Sequence, residues 1–316
     1  MVSLARWAFV TLGWCGYVYL GASAEIWGQD SQWKSMVVQD QEITESSGLT
    51  ESSRAGVFWT HNDSGDRARL FAVQPDSGTL GQVSLQGIEA VDWEAIGAYS
   101  WKGQDWIVVA DCGDNQAKRT SVMFYKFVEP EDFQNWIPEN VPSAQRTAIV
   151  ARQEIQQIEV TFDDGPRDCE AIAIDAASSR ILMVAKSLIP SVGVYEVRFD
   201  PSDISRIVHT KARRICTLNI PMATDMAIDK ETRDIIVAGY FHAFYFPSGA
   251  PNDSTVDQMQ RLPSRIEMPR MKQIEACTLD REGNLWISSE GNPLELAKLN
   301  RESIEKVKQQ ALNQNP

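Results

Sequence analysis

The sequence predicts an all-β fold: a single β-propeller of five four-stranded blades, with six as the alternative count. Two observations carry this expectation. A short motif recurs five times, as Glu45-Ser46-Ser47-Gly48-Leu49, Asp92-Trp93-Glu94-Ala95-Ile96, Asp168-Cys169-Glu170-Ala171-Ile172, Met222-Ala223-Thr224-Asp225-Met226 and Gln273-Ile274-Glu275-Ala276-Cys277. Each copy leads into the same succession of turn, β-rich run, loop and second apolar run. The unit recurs roughly every 50 residues, the length of a propeller blade. A β-sandwich, the alternative architecture, has no reason to repeat one motif five times.

The elements follow in chain order. Residues 1–24 read as a signal peptide: Arg6, an apolar run from Trp7 to Leu20, then Ala22-Ser23-Ala24 with cleavage before Glu25. The alternative, a retained anchor, suffers from a run that is short for a membrane span and holds two glycines. Cys15 follows Trp14 in mid-run, so it does not mark a lipoprotein. Residues 25–35 read as a linker and 36–300 as the propeller. Met36 to Ile43 precede the first motif and are expected to supply the strand that the last blade lacks, which closes the ring and removes an exposed edge. The small residues of the first strands (Gly48, Ala95, Ala171, Ala173, Ala227, Ala276) suit innermost strands crowded around an axis. The β-rich runs after the motifs are Val57 to Thr60, Trp106 to Ala110, Ile181 to Ala185, Ile235 to Ala238 and Leu285 to Ser288. The longest interval between motifs holds an insertion, Glu129 to Arg152, read as a short helix (Glu131 to Trp136) and an extra strand. Asn300 can cap a C-terminal helix from Arg301 to about Leu312, within a tail of 301–316.

The chain of 316 residues has a formal net charge of −13, and loss of residues 1–24 removes one arginine and no acid. An acidic surface argues against nucleic acid, whose phosphates need clustered Lys and Arg. No later segment is apolar for long enough to span a bilayer. These features predict an exported protein, periplasmic or extracellular, and monomeric, whose partner is a small molecule or another protein. After the leader four cysteines remain, Cys112, Cys169, Cys216 and Cys277, and no C-x-x-C pair suggests a structural zinc. Cys112 and Cys169 fall in loops on one face of neighbouring blades, and a disulfide between them is expected in an oxidising compartment.

Propeller geometry puts the loop entering each first strand and the loop after each second strand on the same face. Both kinds of loop are rich in acids: Glu45, Asp63, Asp66, Asp92, Glu94, Asp111, Asp114, Asp168, Glu170, Glu275 and Glu290. Packed like charges repel and raise one another's pKa unless a cation compensates. Hard oxygen donors at that density suit Ca²⁺ or another divalent cation, and Gly in the repeated D-x-G-D turn lets both Asp side chains point inward. These eleven acids are therefore the candidate metal ligands. Taken singly, such residues also cap turns. His61, Glu94, Glu170, Lys186 and His242 fall on the same face and are candidate acids or bases. No Ser–His–Asp order, G-x-S-x-G or phosphate loop appears, so no nucleotide cofactor is expected.

On these motifs, and on Gly165-Pro166-Arg167-Asp168-Cys169-Glu170-Ala171 and Gly283-Asn284-Leu285-Trp286-Ile287-Ser288-Ser289-Glu290, the chain resembles the bacterial propellers of the SdiA-regulated or esterase-like-phytase type over roughly residues 40–299. It is more distantly similar to gluconolactonase-like propellers. That second resemblance implies a divalent metal held by a glutamate of a loop entering a first strand. Thr224 stands where the second, third and fifth motifs have Glu, which interrupts a full carboxylate ring. Two functions are expected from the whole reading. The first is a propeller whose acidic face holds a cation and binds a ligand or partner. The second is a metal-dependent hydrolase of an ester, lactone or phosphate ester, with Glu94, Glu170 or His61 as base.

Overall fold

The computed structural model describes residues 32–131, 133, 136, 146–249 and 253–314. Its middle strands are apolar runs, such as Trp106 to Ala110 and Ile181 to Ala185, whose members are all buried. A strand covered on both faces reads this way, whereas a half-exposed strand alternates. The sheets here cover one another.

Strand β1 (Trp33–Val38) comes first in the chain. The first antiparallel unit is β2 (Ser46–Glu51), β3 (Phe58–Asn62), β4 (Arg69–Gln74) and β5 (Gly78–Leu85). The second begins with β6 (Trp93–Trp101), β7 (Gln104–Asp111) and β8 (Val122–Val128). The chain then makes β9 (Thr147–Val150), which pairs parallel with β5 of the first unit, before returning as β10 (Gln156–Phe162) beside β8. The third unit is β11 (Cys169–Asp175), β12 (Arg180–Ala185), β13 (Val192–Arg198) and β14 (Ile207–Leu218). The fourth is β15 (Ala223–Ile228), β16 (Ile235–Gly239), β17 (His242–Phe246), a short helix α1 (Thr255–Gln260) and β18 (Ser264–Glu267). The last is β19 (Ile274–Leu279), β20 (Leu285–Ser289) and β21 (Leu294–Leu299), followed by helix α2 (Arg301–Gln314). Strands β10 and β14 pair in parallel, which fuses the second and third units into one eight-stranded sheet.

The first strands adjoin one another in the order β2, β6, β11, β15, β19 and back to β2. An apolar layer fills each gap between neighbouring units. Trp59, Leu70, Trp93 and Val109 lie between the first two. Val108, Phe124, Met183 and Tyr195 come next, then Leu182, Val194, Met226 and Val237. Ile236, Tyr245, Cys277 and Ile287 follow, and Leu49, Phe58, Phe71 and Trp286 complete the set. Sheets packed face to face around an axis, with the core divided into layers between them, make a β-propeller.

Several expectations need adjustment. Residues 1–24, with their proposed cleavage site, lie outside the described residues. The N-terminal strand is Trp33–Val38 rather than Met36 to Ile43, so it takes in the end of the expected linker. It runs antiparallel to β21, from Trp33 opposite Leu299 to Val38 opposite Leu294. The extra strand expected in the insertion is present as β9, paired in parallel with β5 of the first unit. The helix expected over Glu131 to Trp136 falls mostly outside the described residues. Asn300 caps α2 as expected: its Oδ1 accepts the Ser303 amide at 2.9 Å. No helix among the described residues is long and apolar enough to cross a membrane.

Candidate metal centre

The acids gather through a repeated backbone irregularity. The pairing of each first strand with the second slips by one residue, between Ser46 and Gly48, Trp93 and Ala95, Cys169 and Ala171, Ala223 and Asp225, and Ile274 and Ala276. A β-bulge leaves the extra residue unpaired and re-aims its side chain. The five extra residues are Ser47, Glu94, Glu170, Thr224 and Glu275, all buried. Ser47 Oγ donates to Glu94 Oε2 at 3.1 Å, Lys186 Nζ lies 3.0 Å from Glu170 Oε1, and Gln273 Nε2 donates to Glu275 Oε1 at 3.1 Å.

Crowding raises the affinity of these acids for protons. Burial, and then the charge of Glu170, Asp63 and Asp92, pushes Glu94 well up. Burial lifts Glu170 to about 8 in spite of Lys186, and Glu170 in turn outweighs burial to hold the Lys186 ammonium charged. Burial also raises Glu275 and Glu290.

On one side of this mouth Asp63, from the loop after β3, meets Asp92 and Glu94. One carboxylate oxygen of each lies within 4.8 Å of the others. Burial, then Asp63 and Asp168, pushes Asp92 up to about 6. The nearest cations are engaged elsewhere: Arg119 sits on Asp111 at 2.8 Å and Lys186 on Glu170. Gly113 forms the floor. A Cβ there would stand 2.5 Å from both Asp92 Oδ2 and Glu94 Oε1, so any larger residue would have to displace both carboxylates from their present positions. Three hard oxygen donors converging over a glycine floor fit Ca²⁺ or Mg²⁺.

The other expected ligands have different work. Asp66 accepts hydrogen bonds from Asn62, Arg67 and Arg69, which outweigh burial and lower its pKa. Asp111 accepts the Val91 and Asp92 amides and pairs with Arg119. Asp114 takes the Arg119 amide at 2.6 Å, and Asp168 takes the Asp114 amide at 2.7 Å. These four fix the loops that carry the trio. Glu45 is exposed, while Glu290 lies 3.9 Å from Lys272.

His61 is fully buried in the layer between the first two units and not in the mouth. Its ring stands edge-on to Trp93, its Nδ1 lies 3.0 Å from the Asn62 carbonyl, and burial lowers its pKa. Its Nε2 would be 2.4 Å from a Cβ at position 48, which is why the motif has Gly48 there. His242 is half-buried and pairs with Glu267 at 3.1 Å.

The expected Cys112–Cys169 disulfide is not formed. Both residues are free buried thiols, as are Cys216 and Cys277. The two loops do adjoin, but Cys112 Sγ donates to the Cys169 carbonyl at 3.2 Å, while the Cys169 amide donates to the Cys112 carbonyl at 3.3 Å. Burial raises both thiol pKa values, which keeps them unreactive in the fold. Alkylation of denatured, unreduced protein is expected to label all four; mass mapping that finds 112 and 169 joined would refute this.

The motif is legible in the sequence, but not that its third position is the extra residue of a bulge. Gly113 was read as the turn glycine of D-x-G-D and not as the residue beneath Asp92 and Glu94, and Ser47 was missed as part of the site, although it shares the register of the glutamates.

No family model matches the chain, and no curated protein matches it in sequence. Among solved structures it is similar to a glucose dehydrogenase (11% identity, 84% of this chain and 99% of that one, TM-score 0.48). It is also similar to a gluconolactonase from Xanthomonas campestris (11% identity, 86% and 91%, TM-score 0.46). A third is a protein from Agrobacterium tumefaciens described as the calcium-binding protein regucalcin (11% identity, 81% and 71%, TM-score 0.40). No activity or residue role follows from likenesses of this size.

Proposed function

We propose that the chain is an exported, monomeric propeller of five blades, closed by the pairing of β1 with β21, that holds a divalent cation on Asp63, Asp92 and Glu94 and binds an oxygen-bearing ligand over it. The observation that carries the reading is the convergence of three carboxylates, with no ion-pair partner of their own among the described residues, above the Gly113 floor. Three protein ligands leave coordination positions of a six- to eight-coordinate ion for ligand oxygens or water.

The test is thermal melting with Ca²⁺, Mg²⁺ or EDTA as a function of pH. Asp92 titrates near 6 in the fold, above its ordinary value of 3.8, so folding favours its protonated form. Without an ion, stability should therefore fall as pH rises through the window from about 4 to about 6. An ion needs the ionised form, so its effect should be absent near pH 4.5 and full at pH 8. There, an ion at 100 times its Kd adds about 2.7 kcal/mol, or roughly 5–10 °C in Tm. Ca²⁺ should exceed Mg²⁺, because loop carboxylates give a large, loose shell. Equal melting in Ca²⁺ and EDTA at pH 8 would defeat the proposal.

One feature favours the hydrolase reading as a second possibility. Burial raises the pKa of the Glu170 carboxyl beside the trio against the pull of Lys186, the direction a general acid requires. A bound divalent ion supplies a Lewis acid for a carbonyl or phosphoryl oxygen. Loss of ester cleavage in Glu170→Gln with unchanged ion binding would support that reading, and an inert wild type would remove it.

A further inference from the structure

The far end of the axis carries a different chemistry. The five first strands enclose a narrow channel, lined by residues such as Thr50, Ala98, Ile174, Ile228 and Thr278, that leads away from the carboxylate mouth. At its other end lies a cavity of about 220 Å³ between turns of the first, second, fourth and fifth units. Lys230, just beyond β15, lines both spaces and is exposed. It has no hydrogen bond or ion pair among the described residues.

The acids that share the cavity are engaged by other groups. Glu51 accepts the Arg281 amide at 2.7 Å and pairs with the Arg281 guanidinium at 3.2 Å. Asp105 accepts from Ser100 Oγ, and Glu129 accepts the Ser53 amide at 3.0 Å and the Trp59 indole N–H. Arg281 lines the same cavity. Partial removal from bulk water outweighs the pull of Glu51 and, with the like charge of Arg281, lowers the pKa of Lys230. A desolvated lysine beside another cation is an activated nucleophile. Access matters as much as basicity. Burial lowers Lys126 to about 8, but that side chain is 0% exposed and donates to the Asp203 carbonyl at 2.5 Å. Lys230 instead joins an unengaged amine to an open cavity.

We propose that Lys230 is a carbonyl-reactive amine, a site where a small neutral aldehyde condenses at the axial end opposite the carboxylate mouth. The amine nitrogen bonds to the aldehyde carbon, and one of its protons passes to the oxygen. The carbinolamine then loses that hydroxyl, with the remaining nitrogen proton, as water and leaves an imine. The cavity limits the size of the aldehyde, and its three acids outnumber Lys230 and Arg281, which disfavours an anionic one.

The experiment treats the whole folded protein with butanal or glyoxylate and cyanoborohydride, which reduces the imine to a stable secondary amine, and maps the product by mass spectrometry. At pH 7.5 butanal is expected to label Lys230 about fivefold or more faster than Lys211, which is exposed on β14. Glyoxylate should show a smaller preference. The Lys230 rate should level off at a lower pH than that of N-acetyl-lysine. Arg281→Gln frees Glu51 to pair with Lys230 and should slow its labelling about fivefold, whereas Glu51→Gln should hold or raise it. Exposure alone would move neither. Lys126 stays unlabelled while the fold is intact, which identifies a variant that has unfolded. Labelling of Lys230 no faster than Lys211, a pH profile like that of N-acetyl-lysine, or the same response in both folded variants overturns the proposal.

Discussion

Glu94→Gln is expected to weaken Ca²⁺ binding by about two orders of magnitude and to raise the melting temperature of the ion-free protein by a few degrees at pH 8. The two effects have opposite signs for one reason. Glu94 is 5% exposed and faces Glu170, Asp63 and Asp92, so burial and like charge penalise its ionised form. The amide abolishes that penalty and still accepts the bond from Ser47 Oγ. It also removes one of the three charges that attract the ion. Gly113→Ala should lose the ion by another route: its Cβ enters the space of Asp92 Oδ2 and Glu94 Oε1 without altering any charge. Calorimetry and melting on the two variants separate charge from shape. An unchanged Kd in both, or a lower ion-free Tm in Glu94→Gln, would show that the trio is not the site.

Asp175→Ala is expected to cost about 3 kcal/mol, or roughly 6–12 °C in Tm, with no change in Ca²⁺ affinity. Asp175 ends β11, and its side chain is fully buried. It accepts Arg180 Nε at 2.8 Å, Arg233 Nη1 at 2.7 Å and the Ser178 amide at 3.0 Å, and it also pairs with Arg233 Nη2. Arg233 belongs to the fourth unit, so this carboxylate ties two blades together away from the mouth. Removing one partner from a buried charged network leaves the others unsatisfied. Burial opposes ionisation of Asp175, yet these bonds prevail and lower its pKa to about 2. The contribution is then complete above about pH 4 and is lost as pH falls through 2. The stability difference between wild type and variant, from urea melts, should be large at pH 7 and shrink at pH 2.5. A difference under 1 kcal/mol at pH 7 would contradict this account.

The blade pattern was legible because it is local. Runs such as Trp106 to Ala110 declare strands buried on both faces, small residues mark the crowded inner strands, and a recurring motif sets the unit length. The course of the insertion was not legible: whether Thr147–Val150 extends the first unit or the second depends on which edge is open, a property of the assembled sheets. The site divides in the same way. That the motif loops are acidic and share one face can be read from residues such as Asp63, Asp92 and Glu94. Which acids remain available to an ion cannot. Asp66, Asp111, Asp114 and Asp168 have the same composition and spacing as the others, but their oxygens are taken by Arg69, Arg119 and backbone amides that approach only in the folded chain. His61 looked like a base by position and is sealed behind Gly48 by packing. The sequence alone therefore determined the repeating unit, the strands and the acidic face, because each depends on residues close in the chain. Only the tertiary structure decided which carboxylates converge over Gly113 and which are spent on loops, because that choice rests on bulge register and on partners contributed by neighbouring blades.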